Sequence, residues 1–147
     1  LGNNAQLARL LDIQVLRPLE TDNSRSLALV GQLREPVSGA EFAARLASCL
    51  QRQPLHCGDG GPTLIKTVAW CSGGGQGYIN LAAEQGIDAF FTGEASEQTI
   101  HVAREMGIHF YAAGHHATER YGVKALGEWL AAEEGLEVSF LDLDNPV

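Results

Sequence analysis

Leu64–Gly114, LIKTVAWCSGGGQGYINLAAEQGIDAFFTGEASEQTIHVAREMGIHFYAAG, is the stretch that decides the fold. Three apolar runs, LIKTVAWC, AFFTGE and HFYAAG, are separated by two helical stretches, YINLAAEQG and SEQTIHVAREMG. Strands alternating with helices argue for βαβ units in a mostly parallel or mixed sheet. Downstream, a long helix is predicted from about Ala117 to Glu134, and EVSFLDLD at 137–144 reads as a final alternating strand. Gly86, Gly107 and Gly135 each follow a helical stretch, where a left-handed residue ends the helix. Upstream, Asn4–Leu11 reads as a short amphipathic helix, and Ile13–Leu19 as an apolar segment closed by Pro18 and the polar TDNSRS. Leu27–Leu33 is a predicted strand. Ser38 with Glu41 three residues on has capping-box spacing. It opens a helix over Glu41–Gln51 that puts Phe42, Leu46 and Cys49 or Leu50 on one face. The expectation is one α/β domain over 1–147, with a mixed or mostly parallel sheet and helices on its faces.

Composition narrows the function classes. The chain has 147 residues and 45% hydrophobic content, enough for a core without disulfide staples. A formal charge of −8 with scattered arginines repels phosphate backbones, which disfavours nucleic-acid binding. Cys49, Cys57 and Cys71 are odd in number and lack Cys-x-x-Cys spacing, so three reduced thiols in a cytoplasmic protein are expected. No run approaches the ~20 apolar residues of a membrane span. LGNNAQLARL lacks the pattern of a secretory leader. The chain starts at Leu1 and its one methionine is Met106, so a segment of a longer protein is expected.

Three glycine-bearing turns follow apolar strands, where α/β sheets gather ligand sites. Ser72-Gly73-Gly74-Gly75-Gln76-Gly77 lets backbone approach a ligand, yet it has neither P-loop nor Gly-x-Gly-x-x-Gly spacing, and a tight strand-to-helix turn explains it as well. Thr92-Gly93-Glu94 sets Glu94 at a strand end. It leads to Glu97 and His101, four apart on one helix face, with His101 open to a purely structural reading. The third turn, Gly114-His115-His116-Ala117-Thr118-Glu119-Arg120, carries the strongest signal. His115 and Glu119 lie one helical turn apart, so an imidazole and a carboxylate can meet one zinc, iron, manganese or nickel ion. A carboxylate in a first turn is also favoured by the helix dipole alone. Metal sites use about four to six donors, and His56 near Asp59, in a Gly/Pro-rich loop, is the one other candidate. The remaining donors are therefore expected from missing sequence or a partner chain.

TGEASEQTIHVAREMGIHFYAAGHHATERYGVKALGEWLA, with GHHATER foremost, resembles the C-terminal signature of the GTP cyclohydrolase 1 type 2 homologues. LGNNAQLA, HCGDGGPTLIKTVAWCSGGGQGYI and FLDLDNPV share the likeness, which touches nearly the whole chain. The resemblance implies a domain-sized stretch of about a hundred further N-terminal residues. That stretch would carry a His-His pair and an Asp, which join His115 and Glu119 around two divalent metals. It also implies a ring-like homohexamer, with Glu94 and His101 near the metals as supporting or substrate-facing groups; from their position these two are the candidate catalytic residues, able to move protons. Two functions follow as expectations. One is a metal-dependent hydrolase acting on a nucleotide or related small molecule, with metal-activated water as nucleophile. The other is a non-catalytic metal-binding scaffold or interaction protein in a ring-shaped oligomer.

Overall fold

The computed structural model describes residues 1–23 and 25–147; Ser24, within the polar stretch expected at 21–26, lies outside them. Element order is α1 (Asn3–Leu10), β1 (Ile13–Pro18), β2 (Leu29–Val37), α2 (Gly39–Leu50), β3 (Leu55–Cys57) and β4 (Ile65–Trp70). A 3-10 turn (Gln76–Tyr78) then leads to α3 (Ile79–Glu84), β5 (Ala89–Thr92), α4 (Glu97–Met106), β6 (His109–Ala112) and α5 (His115–Glu134). The sheet is mixed, in the order β1-β2-β4-β5-β6-β3. β4, β5 and β6 run parallel through the two βαβ units. β1 and β2 extend the sheet antiparallel on one side, and β3 closes the other antiparallel to β6.

Alternation along the parallel strands builds two cores, because successive side chains point to opposite faces. Val68, Trp70, Phe91 and Tyr111 face Leu7 of α1 and Leu11 at its end, Phe42, Leu46 and Leu50 of α2, and Ala117 of α5. Ala69, Cys71, Phe90 and Phe110 face Ile79 and Ala82 of α3 and Ala103 of α4. Helices thus cover both faces, and each buried Phe or Leu stabilises the fold by about 1.5–3 kcal/mol. The expected capping box is present. Ser38 Oγ accepts from Glu41 N at 3.2 Å, and the Glu41 carboxylate accepts from Ser38 N at 2.8 Å. Gly86, Gly107 and Gly135 all have positive φ, as their places after helices require.

Four expectations are corrected. EVSFLDLD forms no strand: residues 136–147 have neither helix nor strand, and Leu141 and Leu143 are exposed. Its alternation fits a sheet edge, but it instead runs beside α5, with Val138 against Gly127 and Asp142 paired to His116 and Arg120. His56 belongs to strand β3 rather than a loop; a three-residue strand has too little pattern to be seen before its partner is known. α5 begins at His115, two residues earlier than predicted, because Gly114, with φ of 97°, turns the chain directly into the helix. β2 continues to Val37, past the predicted Leu33, through a register shift against β4.

Candidate metal centre

The carboxyl ends of β4, β5 and β6 converge, and short backbone bonds lace the three loops that follow them. Gly93 N donates to Gly73 O at 2.8 Å, and Gly114 N to Gly93 O at 2.9 Å. Thr92 Oγ1 accepts from Gly75 N and donates to Gly73 O, both at 3.0 Å. Thr118 Oγ1 accepts from Gly73 N at 2.9 Å and donates to Gly114 O at 2.9 Å, tying the glycine loop to the first turn of α5. Asn4 adds a brace from α1, its Oδ1 accepting from Ser72 N at 2.8 Å. These buried bonds replace water for backbone groups at strand ends. They also hold Glu94, His115 and Glu119 on a rigid platform.

The structure brings three of the four sequence-predicted residues together. Glu94 Oε1 lies 2.5 Å from His115 Nδ1, and Glu119 Oε2 lies 3.1 Å from His115 Nε2. The imidazole is thus set between two carboxylates, one on each nitrogen. Its pKa is raised above the ordinary 6.5, first by the hydrogen bond to Glu94 and further by Glu119, against a smaller opposing effect of burial. Glu94 is lowered, chiefly by the same hydrogen bond. His101 is not brought to this cluster by any contact. It sits exposed on α4 with its Nε2 3.8 Å from Glu97, a loose ion-pair geometry on a solvated helix face.

Whether a divalent ion suits these residues is a matter of donor chemistry. A carboxylate on Nδ1 fixes the tautomer that leaves the Nε2 lone pair for a metal, the arrangement metal-binding histidines use. Glu119 offers oxygen on that same side. Room is made by Gly73, whose φ is 66° and where a Cβ would collide with Glu119 Oε1 and approach His115 Nε2 to 3.0 Å. Nearby, Gln76 Oε1 is buried without a hydrogen-bond partner, while its Nε2 reaches Glu94 Oε2 at 3.5 Å. The residues fit one face of a metal site. Glu94, engaged on Nδ1, is not a third ligand, and among the described residues no group of three or more His, Cys, Asp or Glu is arranged to hold a metal. His56 pairs with His109 instead, its Nε2 3.0 Å from His109 Nδ1.

Sequence reasoning missed Thr92, Thr118, Gly73 and Gln76 as positioning residues. GHHATER contains Thr118, but nothing in one sequence tells a hydroxyl that ties two loops from one that faces water.

Fold and site together define a mixed α/β protein with a histidine–carboxylate cluster at the carboxyl ends of its parallel strands. Residues 1–146 match the family model of Duf34/NIF3 (NGG1p interacting factor 3), and the chain belongs to that family. It is 62% identical over 146 residues to the "GTP cyclohydrolase 1 type 2 homolog" of Haemophilus influenzae, covering 99% of this chain and 58% of that relative. The relative of the same name in Escherichia coli K12 is 56% identical, over 99% of this chain and 57% of its own. A solved structure of protein ybgI, described as of unknown function, matches with TM-score 0.95 at 56% identity, covering 100% of this chain and 57% of that one. A solved structure from Thermus thermophilus, TTHA1606, matches with TM-score 0.80 at 31% identity, over 97% of this chain and 55% of its own. The chain therefore spans a little under three-fifths of the length of the curated relatives it matches. No described helix is long and apolar enough to cross a membrane.

Proposed function

We propose that this chain supplies one face of a divalent-metal site in a metal-dependent hydrolase acting on a nucleotide or a related small molecule. The observation that carries the reading is the Glu94–His115–Glu119 relay, with Nδ1 engaged at 2.5 Å and Nε2 turned to Glu119 in the space left by Gly73. In this reading His115 and Glu119 bind, and Glu94 orients the imidazole and holds its Nδ1 proton. Two divalent ions, when bound, supply Lewis acidity and lower the pKa of water. The other donors come from outside residues 1–147. Self-association as a homohexamer is part of the same proposal. The names borne by the relatives support the nucleotide-like substrate class and nothing finer.

The test is metal content by mass spectrometry, on wild type and on His115→Ala/Glu119→Ala, each extended to the relatives' full length and loaded with zinc, manganese, iron or nickel. Metal retained by wild type and lost by the double variant supports the site. Wild type that stays metal-free with all four ions sinks it. Metal bound with no turnover across a nucleotide panel leaves the non-catalytic scaffold in its place. Native mass spectrometry of the same samples reads the hexamer.

A further inference from the structure

Beside the cluster, the irregular C-terminal strap crosses the start of α5 and delivers one carboxylate. Asp142 Oδ1 lies 2.9 Å from His116 Nε2, and Oδ2 accepts from Arg120 Nη1 at 2.8 Å. Two cavities flank this contact and share His116, Arg120, Asp142 and Asn145 as their common wall. One, about 350 Å³, opens on His115 and Glu119. The other, about 420 Å³, opens on Arg52 and is lined on the strap side by Asp144 as well as Asp142. We propose that the His116–Arg120–Arg52 cluster is an anion-binding subsite for the phosphate or carboxylate group of the ligand, and that the strap's Asp142 occupies it as a displaceable stand-in.

Three observations support this. The Arg120 side chain is only 16% exposed, and a largely desolvated guanidinium requires an anion. Among the described residues its one carboxylate partner comes from a segment without secondary structure. Arg52 makes no ion pair or side-chain hydrogen bond among the described residues, yet it lies against Gly114; a Cβ there would meet its Cδ, Nε and Cζ within 3.0 Å. A guanidinium beside the positive end of a 20-residue helix is unfavourable until an anion joins them. Finally, the strap is lightly held around Asp142. Leu141 and Leu143 are 82% and 77% exposed, His116 N donates to Val147 O at 3.0 Å, and the apolar hold lies upstream of Asp142, where Val138 packs against Gly127 and Phe140 sits 5.9 Å from Lys124 Nζ. Displacing Asp142 therefore needs movement only of the segment around the exposed Leu141 and Leu143, with Val138 and Phe140 left in place.

Phosphate has the advantage over Asp142 because it offers more acceptor oxygens and more charge to a forked guanidinium. A ligand held here places its remainder in the cavity that His115 and Glu119 line. The inference deepens the hydrolase reading by naming an anionic ligand. It rests on that reading only for what happens to the ligand next.

The test uses the 147-residue chain freed of metal on a chelating resin and titrated with inorganic phosphate at constant ionic strength. Binding is read by phosphorus NMR and by amide shifts of the strap. Wild type is expected to bind weakly and saturably, with Leu141 and Leu143 amides moving. Asp142→Asn, an exposed and near-isosteric change, is expected to bind about 10-fold tighter, and Arg52→Met about 5-fold more weakly. Far-UV circular dichroism checks that both variants keep the fold. Asp142→Asn binding no tighter than wild type overturns the subsite, as does saturation without strap movement or an equal response to chloride. Because metal is absent throughout, such a failure leaves the metal reading standing. Phosphate binding in a protein that never takes up metal does the reverse.

Discussion

The two nitrogens of His115 face two carboxylates, so the proton count of one ring sets how the site answers to pH. Its pKa is raised, first by Glu94; the stabilisation it gives is full below its unfolded value and is lost as pH rises through the raised one. Glu94 is lowered by the same contact; its contribution is present above the ordinary carboxylate range and is lost as pH falls through the lowered value. The pair is strongest between the two. In the proposed site a metal would displace the Nε2 proton, so uptake should grow as pH rises through the raised histidine value. A proton NMR titration of the His115 ring in metal-free chain is expected to give a midpoint above 6.5, moving down in Glu94→Gln. A wild-type midpoint at or below 6.5 contradicts the relay. Gly73→Ala tests the floor of the same site. A left-handed alanine costs about 1–2 kcal/mol, and its Cβ also pushes Glu119 aside. Denaturant melts should show a loss of at least that size together with weaker metal uptake, whereas Gly77→Ala, with open space at its Cβ, should leave uptake unchanged.

Elements were legible in the sequence where the physics that forms them is local. Ser38 and Glu41 are three residues apart and satisfy each other, so the start of α2 could be read before any fold was known. Ser38→Ala should cost about 1 kcal/mol in thermal or urea melts, and a change within error would mean that packing of Phe42, Leu46 and Leu50 alone holds the helix. The parallel strands were equally visible, because burial on both sides leaves a continuous apolar run. β3 was hidden because what holds it is remote. His56 stacks on Tyr111 with centroids 4.3 Å apart and pairs with His109, contacts made more than fifty residues away in the chain. The C-terminal strap shows the opposite failure. Its alternation is a strand's pattern, but pattern specifies a strand only when a sheet edge receives it, and here Asp142 is drawn to His116 and Arg120 instead.

On the scale of the whole molecule, the sequence carried His115 and Glu119 because helical spacing makes them neighbours. It carried Glu94 only as a strand-end acid and could not assign it to Nδ1, since the two are joined through separate loops. The same geometry limits what this chain does alone. Two donors converge on the space before Gly73, whereas metal sites use about four to six. The matched relatives are longer by more than two-fifths of their own length, enough chain to bring further ligands. The 147-residue chain should therefore bind zinc roughly 100-fold more weakly, or worse, than the full-length Haemophilus influenzae relative titrated beside it, since lost inner ligands cost more than lost outer support. If two copies meet face to face, each gives His115 and Glu119, and zinc uptake by this chain will rise with protein concentration and be accompanied by a doubling of mass in sedimentation. Tight uptake at constant monomer mass, equal to that of the full-length relative, would show that residues 1–147 already hold a complete site, and the half-site reading would have to be abandoned.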